Sequence, residues 1–222
     1  MFSILGEGRG HMTQAMAVKE MIVKAGHEVP CVALGLAPNR TAPPYFVSAM
    51  AAPIVAVPTI DFSYKNNRSV NLPGTVAGVV RKIPSYRSGV RALHSLVSEH
   101  RPDAIINFFE PITGIYALTS RHRPPVIAVA HQFMYGHPNY VRAPGMRFQQ
   151  LGMKRYVQVV GAASTRVALS LYEAPDLPRQ KLTVCPPMLR RQLFSLRPNP
   201  NGNFVLVYLL NHGYAEQIME WH

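Results

Sequence analysis

The sequence predicts an α/β fold, a parallel sheet with helices on both faces. Short apolar runs alternate with longer stretches of helical periodicity, which is the pattern of strand–helix units. A glycine-rich loop, "GEGRG" at 6–10, sits between the first such run and the first helical stretch. With 222 residues and 48% hydrophobic content, the chain is long and apolar enough to bury a core.

Phe2–Leu5 reads as the first strand and Met12–Ala25 as the helix after the loop, with Ala15, Val18 and Ile22 as its core stripe. Gly26 stands where that helix should terminate. Val29–Leu34 follows as the second strand, with Pro30 tolerated only near its start. Ile54–Val57, Ala104–Asn107 and Val126–Ala130 give the third, fourth and fifth strands. Helical stretches at about 74–82, 86–99 and 112–121 lie between them, and Val167–Leu171 and Leu182–Cys185 are further short strands. "LRPNPNGN" at 196–203 cannot continue a regular element and reads as a linker. Beyond it, "FVLVYLL" at 204–210 reads as a strand and "YAEQIMEWH" as a helix. One strand and one helix cannot bury a core of their own. The expected organisation is a first domain over 1–195, a linker at 196–203, and the start of a second α/β domain over 204–222 of a longer protein.

The formal charge of +12 directs the search for partners toward anions. The two cysteines, Cys31 and Cys185, have neither disulfide-framework nor metal-site spacing and read as reduced core residues of a cytoplasmic protein. "MFSIL" lacks the features of a signal peptide, and the longest apolar stretch, 47–58, is interrupted by Pro53 and is too short to span a bilayer. Any membrane contact is therefore expected to be peripheral, at the inner face of the membrane. Its candidate is the acid-free segment 64–95, where Arg81, Lys82, Arg87 and Arg91 interleave with Val76, Val79, Val80, Ile83 and Tyr86. That mixture suits an anionic lipid surface, and equally a solvated basic face held to the core by its valines. No recognised module or aromatic platform accompanies the charge, so nucleic acid is not an expected partner.

A glycine loop opening a helix offers free backbone N–H groups and the positive end of the helix dipole. The dinucleotide fingerprint G-x-G-x-x-G is not met, because Gly6 and Gly8 are followed by His11 in the third place. The second strand ends in Leu34, Gly35 and Leu36, with no carboxylate for a ribose. A phosphate-binding P-loop fails too, since no Gly-Lys-Ser/Thr follows. What remains is a histidine at a helix start, which either caps the helix or stands neutral at a cleft, ready to take a proton. Glu110 follows the apolar "AIINFF" and should lie on the same carboxyl edge of the sheet. There it would either hold one nitrogen of His11 or cap the helix opening at Pro111. His131, Gln132 and His137 follow the fifth strand on that edge, and with no nearby Asp, Glu or Cys they suit structural or acceptor-contacting roles better than a metal.

"GEGRGHMTQAMAVKEMIVKAGHEV" at 6–29 resembles the N-terminal signature of GT-B glycosyltransferases, including the UDP-glycosyltransferases and the peptidoglycan N-acetylglucosaminyltransferase. Gly10-His11 and Gly26-His27 carry the likeness, while Thr13-Gln14 stands where many members have proline. "RPDAIINFFEPITGIYA" at 101–117 and "RPPVIAVAHQF" at 123–133 are similar to the segments that follow. The resemblance implies a Rossmann-like acceptor-side domain and inverting transfer of a sugar from a nucleotide-diphosphate sugar to an acceptor hydroxyl. His11 would be the general base and Glu110 its partner, replacing the family's aspartate. Gly8, Gly10, His131, Gln132 and His137 would contact the acceptor, lipid-linked or small, and Asn211 and Gly213 the donor. Neither metal nor cofactor is implied, and the chain alone would be inactive. Two alternatives are a non-catalytic domain of the same fold and, less favoured by the failed fingerprint, a nucleotide-dependent oxidoreductase.

Overall fold

Side chains of the first strand divide by the two-residue period of β structure. Phe2 and Ile4 face one layer of helices, whereas Ser3 reaches Thr113 on the other side, its hydroxyl 2.5 Å from that of Thr113. This division runs through a computed structural model that describes the chain except for residues 61–63, 66–68, 71, 143, 146, 198–200, 209–211 and 222. In chain order the elements are β1 (Phe2–Leu5), α1 (Gly10–Lys24), β2 (Val32–Leu36), α2 (Pro44–Met50) and β3 (Ile54–Pro58). A short antiparallel pair, β4 (Tyr64–Lys65) and β5 (Ser69–Val70), precedes α3 (Leu72–Arg81) and α4 (Ile83–His100). Then come β6 (Ile105–Phe108), α5 (Pro111–Thr119) and β7 (Val126–Ala130). The series continues with α6 (Arg147–Val160), β8 (Thr165–Leu169), β9 (Leu182–Cys185) and α7 (Ala215–Trp221).

Seven strands form one parallel sheet in the order β3-β2-β1-β6-β7-β8-β9. This is the Rossmann-like architecture the sequence predicts. The order reverses between β1 and β6, which are neighbours although about a hundred residues apart in the chain. At such a reversal the two outgoing loops turn to opposite sides and leave a crevice at the carboxyl ends of the strands. The loops in question are 6–9 and 109–110, those that carry the glycines and Glu110.

Helices α1 and α2 cover one face, where Met12, Ala15, Met16, Phe46 and Met50 pack on Phe2, Ile4, Val32, Leu34 and Phe108. Phe2 and Phe108 meet edge to face at 5.2 Å. The opposite face carries α4 and α5, with Tyr86, Leu93, Ile112 and Tyr116 over Cys31, Ala33 and Ile105. Helix α6 continues that second layer through Val157 and Val160 against Ala128, Ala130 and Ala168. Cys31 is buried and Cys185 half-buried; burial pushes both thiols above their ordinary value and leaves them poor nucleophiles.

Several boundaries differ from the sequence reading. β2 begins at Val32 rather than Val29, because pairing with β1 and β3 starts only there. β8 spans Thr165–Leu169 instead of ending at Leu171, since the Ser170 hydroxyl donates to Tyr172 O and accepts from Tyr172 N–H, closing a turn. The strand expected over 204–210 is not formed in its described part: residues 204–208 pair with no other strand, and Phe204 and Leu206 are 78% and 85% exposed. An apolar run becomes a strand only when a partner accepts its ladder. The rest of that run, 209–210, lies outside the described residues. The described residues of 196–203 contain neither helix nor strand.

Candidate functional site

The loop after β1 is shaped by close approach. Gly6 N–H donates to Gly35 O at 2.8 Å, and a Cβ on Gly6 would come within 2.6 Å of that oxygen. Gly8 has φ +75, the left-handed region that glycine reaches without strain, and this turns the chain into α1. No side chain caps the helix start, and no acidic residue occupies its first turn.

His11 stands in that first turn and is 7% exposed. Its ring runs nearly parallel to Phe109, with centroids 5.6 Å apart, and to His131 at 6.1 Å. Gln132 Nε2 lies 3.3 Å from His11 Nε2. His11 Nδ1, Gln14 Oε1 and Gln132 Oε1 are buried and have no hydrogen-bond partner within reach. Burial first, and the neighbouring His131 second, push the His11 pKa down to about 4, while the approach of Gln14 opposes the shift. The ring is therefore neutral at physiological pH and available as a proton acceptor.

A cavity of about 780 Å³ opens over this histidine. Its walls include Gly8, Gly10, His11, His131 and Gln132, five residues that sequence reasoning had selected. Arg9, Arg40, Phe109 and Tyr156 also line it and were missed. Phe109 had a detectable signal only in its place beside Glu110; its φ of +59 is left-handed, which costs a non-glycine residue about 1–3 kcal/mol. Asn107 braces that turn, accepting from Glu110 N–H at 2.7 Å and donating to Glu110 O at 3.2 Å. Arg40 and Tyr156 lie on a loop and a helix that local pattern did not tie to the cleft.

The expected pairing of Glu110 with His11 is not formed. Glu110 caps α5, its Oε2 accepting from Thr113 N–H at 2.7 Å and its Oε1 from the Thr59 hydroxyl at 3.2 Å. The side chain lies against Gly35, where a Cβ would come within 3.0 Å of Oε1, on the α4–α5 face of the sheet rather than the α1 face. Burial pushes its pKa up to about 7, against the pull of the Thr113 and Ile112 backbone and the Thr59 hydroxyl.

For His137 the geometry fits the structural alternative, and the acceptor contact is corrected. It is 1% exposed, bonds Pro175 O through Nε2 at 2.9 Å and accepts from Asn139 N–H through Nδ1 at 3.1 Å, so both nitrogens serve the loop and not the cavity. Asn211 lies outside the described residues, and Gly213 sits in a 3₁₀ turn, His212–Tyr214, that does not line the cavity. In the basic segment Arg81, Arg87 and Arg91 are exposed beside exposed Val80 and Ile83. Lys82 is half-buried and, with Arg40 and Thr59, lines a smaller cavity of about 370 Å³. Tyr86, expected at the surface, is core, because it falls on the α4 face that meets the sheet. Among the described residues no three His, Cys, Asp or Glu side chains are grouped to hold a metal ion, and no helix is long and apolar enough to cross a membrane.

No curated protein matches the chain. Among solved structures, the crystal structure of Acinetobacter baumannii MurG is similar with a TM-score of 0.46 and 13% identity, over 90% of this chain and 49% of that one. The chain thus spans about half the length of that structure. A model of the family described as glycosyl transferase family 1 matches residues 1–220, and the chain belongs to that family.

Proposed function

We propose that this chain is the acceptor side of a glycosyltransferase, with His11 as general base. The observation that carries the reading is a neutral, buried histidine facing a cavity at the reversal point of the sheet. In the proposed step, His11 Nε2 takes the proton of an acceptor hydroxyl while that oxygen attacks the anomeric carbon of a nucleotide-diphosphate sugar. The new C–O bond forms as the bond to the diphosphate breaks, and the electron pair leaves with the diphosphate. Direct displacement of this kind inverts the anomeric centre. Gly8 and Gly10 would let the acceptor close to the backbone, and His131 and Gln132, which line the same cavity, would contact its hydroxyls. Glu110 has no part in the step, because its carboxyl is committed to Thr113 and Thr59.

The 3.3 Å contact between Gln132 and His11 Nε2 is long for a hydrogen bond, so an entering hydroxyl can displace it. The test is sugar transfer by the natural protein and its His11→Ala variant, over a panel of nucleotide sugars and acceptors. Removing a general base typically costs ~10²–10⁴-fold in rate. A loss in that range with folding intact is expected, and wild-type turnover by the variant would remove His11 from the chemistry.

A further inference from the structure

A neutral imidazole carries one proton on one of two nitrogens, and a base that must accept at Nε2 has to hold its own proton at Nδ1. Something must fix that choice. In His11 the Nε2 side faces Gln132, and Nδ1 points to a buried region with no partner in hydrogen-bond range. One helical turn along α1, Gln14 presents an amide oxygen that is also buried and also without a partner. Residues three apart on a helix share a face, so the two groups are neighbours. A buried donor and a buried acceptor, each unfavourable if left unsatisfied, remove both penalties by meeting.

We propose that Gln14 is the positioning residue for His11: its amide oxygen accepts from Nδ1–H and so fixes the tautomer that leaves Nε2 free to take a proton. This rests on the reading of His11 as the base, and supplies the orienting partner that Glu110 does not. An amide differs from a carboxylate in one respect that matters: it orients the ring without charge. The first turn of α1 then carries no negative charge to stabilise imidazolium, and the upward pull of the neutral Gln14 amide is outweighed by burial and His131, which leave the ring weakly basic. The other titratable groups around the cavity are Glu7, Arg9, Arg40, His131, Tyr156 and Tyr208.

The test is ¹⁵N NMR of the His11 ring in the 222-residue chain, followed through a pH titration, in the wild type and in Gln14→Leu and Gln14→Glu. The wild type should show neutral His11 protonated on Nδ1 at pH 7. Gln14→Leu should lose that preference. Gln14→Glu should keep the Nδ1–H tautomer and titrate about one to three pH units higher, as expected of a carboxylate within ~4–6 Å. This second variant keeps the acceptor oxygen and guards against a folding failure of the first. An Nε2–H tautomer in the wild type, or a titration indifferent to Gln14→Glu, would overturn the proposal. Full sugar transfer by His11→Ala would instead sink the catalytic reading and leave the tautomer result standing.

Discussion

A carboxyl group as fully buried as Glu110, 0% exposed, costs the fold little while it holds a proton and much more once it is ionised. In the folded chain it titrates near 7, and in the unfolded chain near the ordinary 4.5. Between those values the unfolded state releases a proton that the folded state keeps, so stability falls as pH rises from about 4.5 to about 7 and levels off above. Glu110→Gln abolishes this titration, while its amide still offers an oxygen to Thr113 N–H and a donor to the Thr59 hydroxyl. Urea melts across this range should show the wild type losing about 2–3 kcal/mol relative to the variant. Any contribution of His11 is common to both proteins and cancels. Parallel pH profiles would show that Glu110 is ionised in the fold. The same residue marks how far the sequence could be read. An acid after an apolar strand was correctly placed on the carboxyl edge, but the left-handed Phe109 decides which face it turns to. Only the sheet and Asn107 dictate that turn, and neither is visible in local pattern.

Among the elements, strands and helices with a strong buried stripe were legible, and those with a weak one were not. Helix α6 buries only Val157 and Val160 fully and leaves Phe148 and Leu151 in solvent, so its apolar residues do not trace one face. The run after 203 misled in the opposite sense, because apolar composition reports propensity and not pairing. What tertiary contact demands shows most sharply where α5 meets α6. A Cβ on Gly114 would collide with Val159 O and lie 2.8 Å from Val160 Cα, both backbone atoms that cannot rotate away. Gly10, at the start of α1, has open space in the same position and a φ outside the left-handed region. Gly114→Ala should therefore destabilise the chain by about 1–3 kcal/mol in chemical denaturation, through a forced shift of the two helices. Gly10→Ala should stay within about 1 kcal/mol of wild type, on the stabilising side, since alanine loses less entropy in a helix. Equal effects at the two positions would contradict the close α5–α6 packing.

Across the whole molecule the +12 charge is unevenly distributed, since residues 62–98 and 111–172 contain no acid at all. Two basic surfaces result. One joins Arg81, Lys82, Arg87 and Arg91 to exposed Val80 and Ile83; the other joins Arg142, Arg147, Lys154 and Arg155 to exposed Val141, Phe148 and Leu151. The first lies nearer the proposed chemistry through Lys82, whose cavity shares Arg40 with the one over His11. Docking of that surface on anionic lipid would bring the mouth of the cleft toward a lipid-linked acceptor. Each basic residue near such a surface contributes about 1 kcal/mol, so replacing the first four by Gln should weaken binding to anionic vesicles by about two orders of magnitude or more. The same replacement of Arg142, Arg147, Lys154 and Arg155 removes equal charge and serves as the comparison. Co-sedimentation with phosphatidylserine-containing vesicles should also decline with added salt, because exposed charges are screened over about 8–10 Å at moderate ionic strength. A larger loss from the second set would move the contact to α6. Binding indifferent to lipid charge and salt would reject electrostatic docking on either surface.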